Sequence, residues 1–257
     1  LLIQQHGLNI LTDPLWSERA SPFQLIGPKR HHPPGLSLEQ LPPIDLILVS
    51  HNHYDHLDLH TLAQLAERFA HAQVVTGLGN AALIRECGFT RITELDWWQS
   101  LALNAEVTLH SVPVQHWSAR STHDTNQTLW LGFVLQSAQG AVLFPGDSGL
   151  GPEFKLIHQH FGPLRFAALP IGAYAPRWFM RDNHMTPDDA VQAHLQLQSQ
   201  QSMAIHFGTF KLSDEGQFAP LMALEQALHD RQVPSESFRA PKPGEQWRVA
   251  PLGDVAE

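Results

Sequence analysis

The chain has 257 residues, of which 43% are hydrophobic and 16% are charged, so it can bury a sizeable core and is not expected to be disordered. Its formal net charge of −9 opposes tight binding to a phosphate backbone, so no nucleic-acid partner is expected. Its one cysteine, Cys87, excludes an intrachain disulfide and a thiolate-rich metal site, which leaves histidine and carboxylate side chains as metal ligands.

The predicted elements begin with a hairpin. Residues 1–4 and 8–12 have the pattern of strands, and the chain turns between them at His6-Gly7. Residues 13–43 follow as an irregular stretch that contains seven prolines. A loop of that length inside a compact domain is usually functional, so we expect it to border a site.

Beyond that loop, apolar runs alternate with segments of helical periodicity, which is typical of an α/β fold. Strands are predicted over residues 45–50, 73–76, 106–114, 128–136, 141–144, 166–171 and 203–205. Helices are predicted over residues 59–70, 80–87, 152–161 and 220–230, with one more beginning at the N-cap Thr186. No repeat, low-complexity tract or linker divides the chain, so a single domain over residues 1–257 is expected.

Four of the predicted strands are each followed, directly or within three residues, by a side chain that can bind a metal. These side chains are His51, His116, Asp147 and His206. In open α/β sheets, ligands bind at the edge formed by the carboxyl ends of the strands. We therefore expect the four residues to converge, although they are far apart in the chain.

The segment SHNHYDHLD, residues 50–58, concentrates further ligands at the end of one strand. His51 and His53 are two residues apart, so their side chains point the same way in extended backbone. Asp55 and His56 follow at a turn and can face a second point, so one loop can serve two ions. A single histidine is more often a surface or core residue, but four ligands within six residues favour metal binding. Imidazole and carboxylate ligands suit zinc first, with iron or manganese as alternatives.

This segment resembles the His-x-His-x-Asp-His loop of the metallo-β-lactamase superfamily. The resemblance implies an αββα sandwich, in which helices flank two mixed β-sheets. The family's first strand carries a Gly-His-Ser/Ala-Thr turn that is absent here, so a truncated first strand is expected. The resemblance also implies two divalent ions: one held by three histidines, the other by one aspartate and two histidines, with a second aspartate bridging. The three histidines are His51, His53 and His116. The second ion would be held by Asp55, His56 and His206, and the bridging aspartate would be Asp147.

Stretches outside the ligands resemble the branch of N-acyl-phosphatidylethanolamine-hydrolysing phospholipases D. They are residues 11–30, 116–130, 169–191 and 202–210, and the similarity covers nearly the whole chain. It implies a phospholipase D-type phosphodiesterase in which a hydroxide, activated by two metal ions, attacks the phosphorus in line and expels an alcohol.

The resemblance also implies where such an enzyme works. The expected partner is a phospholipid or another small-molecule substrate, and the expected location is the cytoplasm, with peripheral contact to a membrane. Because Leu1 falls inside a predicted strand and no methionine precedes it, we expect the natural N-terminus to lie upstream. The sequence predicts no oligomeric state.

Two residues are expected to take part in catalysis. Asp55 would orient the attacking water in addition to binding metal. His184 would bind the phosphate or assist the leaving oxygen, and the alternative is a histidine that only fixes its loop. Asp58 is expected either to accept a hydrogen bond from a ligand histidine or to cap the helix that follows it.

Three residues are candidates for substrate binding. Lys29 and Arg30 could attract an anionic head group, and the alternative is a solvated cationic loop. Trp178 could line an entrance for the acyl chain, and the alternative is a side chain in the core.

The ligands do not choose between a phosphorus and a carbon centre, so a lactonase or other ester hydrolase on the same two-metal site is an alternative. A non-catalytic metal-binding regulatory module is a second alternative, although such proteins often lose a ligand. A true β-lactamase is disfavoured because Cys87 lies away from any strand end. A superfamily nuclease is disfavoured by the net charge, and an iron oxidoreductase by histidine rather than glutamate at position 53.

Overall fold

The structure is a computed structural model that describes residues 1–23 and 25–253. In the described residues the strands are Leu2–Gln5 (β1), Leu8–Thr12 (β2), Leu46–Val49 (β3), Gln73–Gly77 (β4), Ile92–Leu95 (β5), Ser100–Ala102 (β6), Thr108–Val112 (β7), Gly132–Gln136 (β8), Val142–Phe144 (β9), Phe166–Pro170 (β10), Gln201–Ile205 (β11) and Phe238–Arg239 (β12). The α-helices are Leu59–Arg68 (α1), Ala81–Glu86 (α2), Glu153–Phe161 (α3), Arg177–Met180 (α4), Pro187–Leu197 (α5) and Ala219–Asp230 (α6), and Leu38–Gln40 is a 3₁₀ turn.

The first sheet has the order β1-β2-β3-β4-β5. β1 and β2 are antiparallel, whereas β2 to β5 pair in parallel. The predicted hairpin is therefore confirmed, and it turns at His6 and Gly7, whose φ angles are +46° and +76°. Two consecutive positive φ angles match the right-handed twist of the flanking strands.

The second sheet has the order β12-β11-β10-β9-β8-β7-β6. β9 to β12 are parallel, and β6 to β9 alternate in direction. Both sheets are thus mixed, as the sequence predicts. Because β7 and β9 both run antiparallel to β8, they share a direction, and their carboxyl ends lie at the same edge.

The sheets pack face to face, with helices on both outer faces. In β3, Leu46 and Leu48 belong to the apolar cluster between the sheets, whereas Ile47 and Val49 belong to the cluster beneath α1 and α2. This alternation follows from the two-residue period of a strand. A third cluster joins the second sheet to α3, α5 and α6. The four layers confirm the predicted αββα sandwich.

Some elements differ from the prediction. The strand expected over residues 106–114 spans Thr108–Val112, and the one expected over 128–136 spans Gly132–Gln136. The shorter strands β5, β6 and β12 and the helix α4 were not predicted. These elements have two to four residues, so pairing or packing with neighbours defines them rather than any local periodicity. Among the described helices, none is both long and apolar enough to cross a bilayer.

Candidate metal centre

The metal-capable side chains lie at the strand ends where the sequence predicts them. His51 follows β3 of the first sheet after one residue, and His206 follows β11 of the second sheet directly. His116 and Asp147 lie a few residues beyond β7 and β9. Because β3 belongs to one sheet and the other three strands to the second, the cluster lies at the seam between the two sheets.

Three histidines form the first ligand set. Nε2 of His51 lies 2.9 Å from Nδ1 of His53, and Nε2 of His116 lies 3.3 Å from the same nitrogen. The ligand atoms of the set all lie within 4.8 Å of one another. Three ring nitrogens that converge in this way, with His51 and His116 buried, match the geometry of a histidine site for one ion.

Two aspartates and two histidines form the second set, and one aspartate also reaches the first set. Oδ2 of Asp55 lies 3.2 Å from Nε2 of His206 and 3.4 Å from Nε2 of His56. Oδ2 of Asp147 lies 3.2 Å from Nε2 of His56 and 3.3 Å from Nε2 of His206. It is also 3.8 Å from Nε2 of His116, so this oxygen lies between the two sets, as expected of a bridging ligand.

Bound metal ions would satisfy these donor atoms better than hydrogen bonds among the side chains do. Nε2 of His56 is buried and makes no hydrogen bond within the described part of the chain, although Oδ2 of Asp147 is only 3.2 Å away. A buried ring nitrogen this close to two carboxylate oxygens but without an aligned hydrogen bond is costly, and a cation bound between these atoms would remove that cost. Nitrogen and carboxylate donors without sulfur suit zinc, iron or manganese.

The single thiol is not part of the site. Cys87 ends α2, and its Sγ contacts the carbonyl oxygens of Leu59 and Leu83. Burial raises the pKa of the Cys87 thiol to about 11, so it stays protonated at neutral pH.

Burial and mutual repulsion prepare the first set to bind a cation. Burial lowers the pKa of His51 and of His116 well below the usual value for histidine. It lowers the pKa of His53 to about 4. The three imidazoles are therefore neutral at pH 7 and carry free lone pairs, which is the form that binds metal.

The second set carries the negative charge. Burial opposes ionisation of Asp55 and Asp147, but His56 and His206 outweigh it and hold both carboxyl pKa values well below the usual range. Conversely, burial disfavours protonation of His56, but the attraction of Asp147 and Asp55 outweighs it and raises the pKa of that imidazole well above its usual value. The same pair of carboxylates would attract a metal cation to this position.

Asp13 supports both ligand sets, and the sequence analysis did not single it out. Its Oδ2 is 2.6 Å from Nδ1 of His56 and accepts the Oγ hydrogen of Ser50 at 2.6 Å. Its Oδ1 accepts the backbone N–H of Ser50 at 2.7 Å, and Ser50 Oγ lies 2.9 Å from Nδ1 of His51. Asp13 thus fixes one histidine of each set. The available signal was its position directly after β2, at the same edge as the ligands.

The expected catalytic residues lie beside the cluster. Asp55 belongs to the second set, and its side chain is 17% exposed, more than that of Asp147. His184 lies with Nδ1 3.8 Å from Oδ2 of Asp147, and its ring stacks on that of His206 at an interplanar angle of 10°. Trp117, another residue that the sequence analysis did not single out, has its ring centroid 4.6 Å from that of His53 and is partly exposed.

Asp58 is a capping residue. It accepts the backbone N–H of His60 at the start of α1, and it also accepts the N–H of Ser17 and the hydroxyl of Thr61. The capping alternative is therefore the one observed.

The expected substrate-binding residues lie outside the cluster. Lys29 is exposed and 3.6 Å from Glu18. Arg30 donates to the carbonyl oxygens of Leu15 and Ser17, so two of its nitrogens stabilise the loop. Trp178 is 85% exposed on α4, which makes the core alternative wrong for this side chain.

Comparisons with known proteins agree with this geometry. A family model described as a β-lactamase superfamily domain matches residues 8–207. An N-acyl-phosphatidylethanolamine-hydrolyzing phospholipase D from Caenorhabditis elegans is 34% identical over 97% of this chain and 73% of its own. A mitochondrial protein of the same name from Saccharomyces cerevisiae is 34% identical over 86% of this chain. The matched region covers 48% of the yeast protein, about half of its length. An isothiocyanate hydrolase from Delia radicum gut bacteria has a similar structure, with a TM-score of 0.73 and 20% identity over 97% of this chain and 95% of its own.

Proposed function

The chain belongs to the metallo-β-lactamase superfamily and is a metal-dependent hydrolase, and from that premise we propose that it is a phosphodiesterase of the phospholipase D type acting on N-acyl-phosphatidylethanolamine-like phospholipids. One observation carries the proposal. The 34% identity to the phospholipase D relative extends over 97% of the chain, so it includes the segments around the site and not only the ligands. Those segments carry the substrate preference, because the ligands alone are shared by hydrolases of several kinds.

The chain's own residues would hold the reacting groups in place. His51, His53 and His116 would bind one ion, and the set around Asp147 would bind the other. Bound there, two divalent ions, most simply zinc, activate water and neutralise phosphate oxygens. Four of the seven residues, His51, His56, His116 and Asp147, are buried, and a site with little water strengthens electrostatic interactions.

Asp55 and His184 would act on the substrate side of the cluster. Asp55 is more exposed than Asp147, which suits a carboxylate that also orients the attacking water. Nδ1 of His184 is buried, lies 3.8 Å from Oδ2 of Asp147 and makes no hydrogen bond among the described residues, so it faces the metal-capable cluster, where a phosphate oxygen bound to the ions would meet it. Burial and the neighbouring histidines lower the pKa of His184, although Asp147 opposes this, so the neutral ring would accept or donate one hydrogen bond per nitrogen.

A product assay tests the reaction. Protein loaded with zinc and given N-acyl-phosphatidylethanolamine in ¹⁸O-enriched water is expected to release N-acylethanolamine and phosphatidic acid in equal amounts. The label is expected in phosphatidic acid alone, because water attacks phosphorus and the alcohol departs with its own oxygen. Chelator-treated protein is the control.

The same assay offers lactones and a carboxylic ester. Cleavage of those substrates alone would replace the phosphodiesterase proposal by the ester-hydrolase alternative. Failure on every substrate by protein with two bound ions would favour a regulatory module.

We also propose that the enzyme reaches its substrate by peripheral contact with a bilayer. Residues 17–23 and 25–30 form an arm whose two sides are joined by an isolated antiparallel bridge between Arg19 and Lys29, and the described residues at its tip include exposed apolar side chains. Leu25 is 88% exposed and Ile26 is 69% exposed. The arm continues to the segment after His206, since the N–H of His31 donates to the carbonyl oxygen of Thr209. Exposed apolar side chains clustered next to a site are typical of a membrane contact.

Replacing Leu25 and Ile26 by aspartate is expected to weaken binding to phosphatidylcholine vesicles by about tenfold or more, because each side chain gains roughly 1.5–3 kcal/mol when its surface leaves water. Sedimentation with vesicles measures this effect. Leu195→Asp, an exposed leucine on α5, is the matched control and should bind as the unmodified protein does. Hydrolysis of a water-soluble phosphodiester should be unchanged in all three proteins. Equal vesicle binding by the arm variant and the control would contradict this contact.

A further inference from the structure

The metal-binding loop, residues 51–57, alternates ligands with other residues. Metal-capable residues stand at positions 51, 53, 55 and 56, whereas Asn52, Tyr54 and Leu57 belong to neither ligand set. The loop has little regular hydrogen bonding of its own. Within it, the N–H groups of His56 and Leu57 both donate to the carbonyl oxygen of His53. Something outside the loop must therefore set its shape.

Arg120 contacts the three other residues of this loop, Asn52, Tyr54 and Leu57. Its Nη1 donates to the carbonyl oxygen of Asn52 and to that of Leu57, each at 2.8 Å. Its guanidinium carbon lies 4.1 Å from the centre of the Tyr54 ring. The hydroxyl of Tyr54 in turn donates to the carbonyl oxygen of Arg120 at 2.7 Å. One side chain thus holds the start, middle and end of the loop from its non-metal side.

Arg120 is itself held in place. Its backbone N–H donates to both carboxylate oxygens of Asp124, at 3.0 and 3.1 Å. It stands four residues after His116, the ligand that the second sheet contributes to the three-histidine set. The contact therefore ties the loop that carries His116 to the loop that carries the four ligands after β3. Burial lowers the pKa of the guanidinium, but arginine remains protonated in proteins and keeps its donors.

We infer that Arg120 is a positioning residue, which fixes the metal-binding loop in the shape that brings its four ligands to two ions. It belongs to neither ligand set, and its effect would pass through the carbonyl oxygens of Asn52 and Leu57 and the ring of Tyr54. The inference depends on the metal centre and not on which ester is cleaved. It therefore stands or falls separately from the phosphodiesterase proposal.

Metal affinity tests the inference directly. Arg120→Met keeps the aliphatic stem but removes every donor and the charge. We expect its zinc affinity, measured by competition with a chromogenic chelator, to fall about tenfold or more, as for other groups that orient ligands. We expect the visible spectrum of the cobalt-substituted variant to change, because that spectrum reports ligand geometry. Arg120→Lys should recover part of the affinity. An ammonium group can donate to carbonyl oxygens, but it is not planar and cannot stack on the Tyr54 ring as the guanidinium does.

Arg165→Met is the matched control. Arg165 also donates to two backbone carbonyl oxygens, those of Val249 and Ala250, but away from the metal ligands. It should melt at a lower temperature and bind zinc as the unmodified protein does. Unchanged zinc affinity and cobalt spectrum in Arg120→Met, or an equal loss of affinity in Arg165→Met, would overturn the inference. If Arg120→Met does not fold, Arg120→Lys decides: weaker zinc binding supports the role, and unchanged binding overturns it.

Discussion

Replacing His116 by alanine is expected to lower kcat/KM for any substrate by at least about a thousandfold, because the three-histidine set then keeps only two ligands and loses its ion. Both the activation of water and the neutralisation of charge in the transition state depend on that ion. Steady-state kinetics on zinc-loaded protein measures the effect.

His110→Ala is the control for this experiment. His110 lies on β7, the strand that leads to His116, but its ring packs against Phe161 rather than against the metal ligands. The control is expected to keep its activity. Activity of His116→Ala close to that of the control would contradict the metal mechanism.

Asp13→Asn is expected to weaken zinc binding by about 10–100-fold and to lower the free energy of unfolding by about 2 kcal/mol. The amide has nearly the same shape and tolerates the positive φ of +39° at this position. The amide has an NH₂ donor in place of one of the two acceptor oxygens. If the NH₂ takes the place of Oδ1, the backbone N–H of Ser50 loses its acceptor. If it takes the place of Oδ2, Ser50 Oγ and Nδ1 of His56 lose theirs. Urea denaturation and chelator competition measure the two effects.

Asp45→Asn provides a matched comparison at the other end of the same sheet. Asp45 precedes β3 and accepts the N–H of Asn9 at 2.8 Å, so its replacement costs at most about 1 kcal/mol. Its zinc affinity should equal that of the unmodified protein. If both variants lose stability equally and neither loses zinc affinity, Asp13 has only a structural role.

The cluster of metal-capable side chains was predictable because two simple signals coincide. Strands end within a few residues of metal-capable side chains, and the two-residue spacing of His51 and His53 directs both rings to one side. The order of the layers came from the resemblance, because periodicity alone does not say which of two sheets a strand joins. The bridging position of Asp147 also came from the resemblance, and the distances agree with it.

Other features depend on contacts that a sequence pattern does not contain. Asp13 and Arg120 act on the site across 37 or more positions of the chain, and although both lie in stretches that resemble the phospholipase D branch, those stretches do not say which distant groups the two side chains contact. Arg30 is a candidate for attracting a head group by its charge, with a solvated cationic loop as the alternative, and only the structure shows that its guanidinium donates to backbone carbonyl oxygens of its own loop. Likewise, Trp178 could be core or surface by composition, and only the packing of α4 decides that it is exposed.

The central claim is that two metal ions bind where the two sheets meet, and the metal content of the purified protein tests it most directly. Elemental analysis after loading and removal of free zinc is expected to give two ions per chain, with fewer in His116→Ala and in His206→Ala and two in the control His110→Ala. A chain that retains no zinc, or variants that retain as much as the unmodified protein, would contradict the two-metal centre on which the proposed chemistry depends.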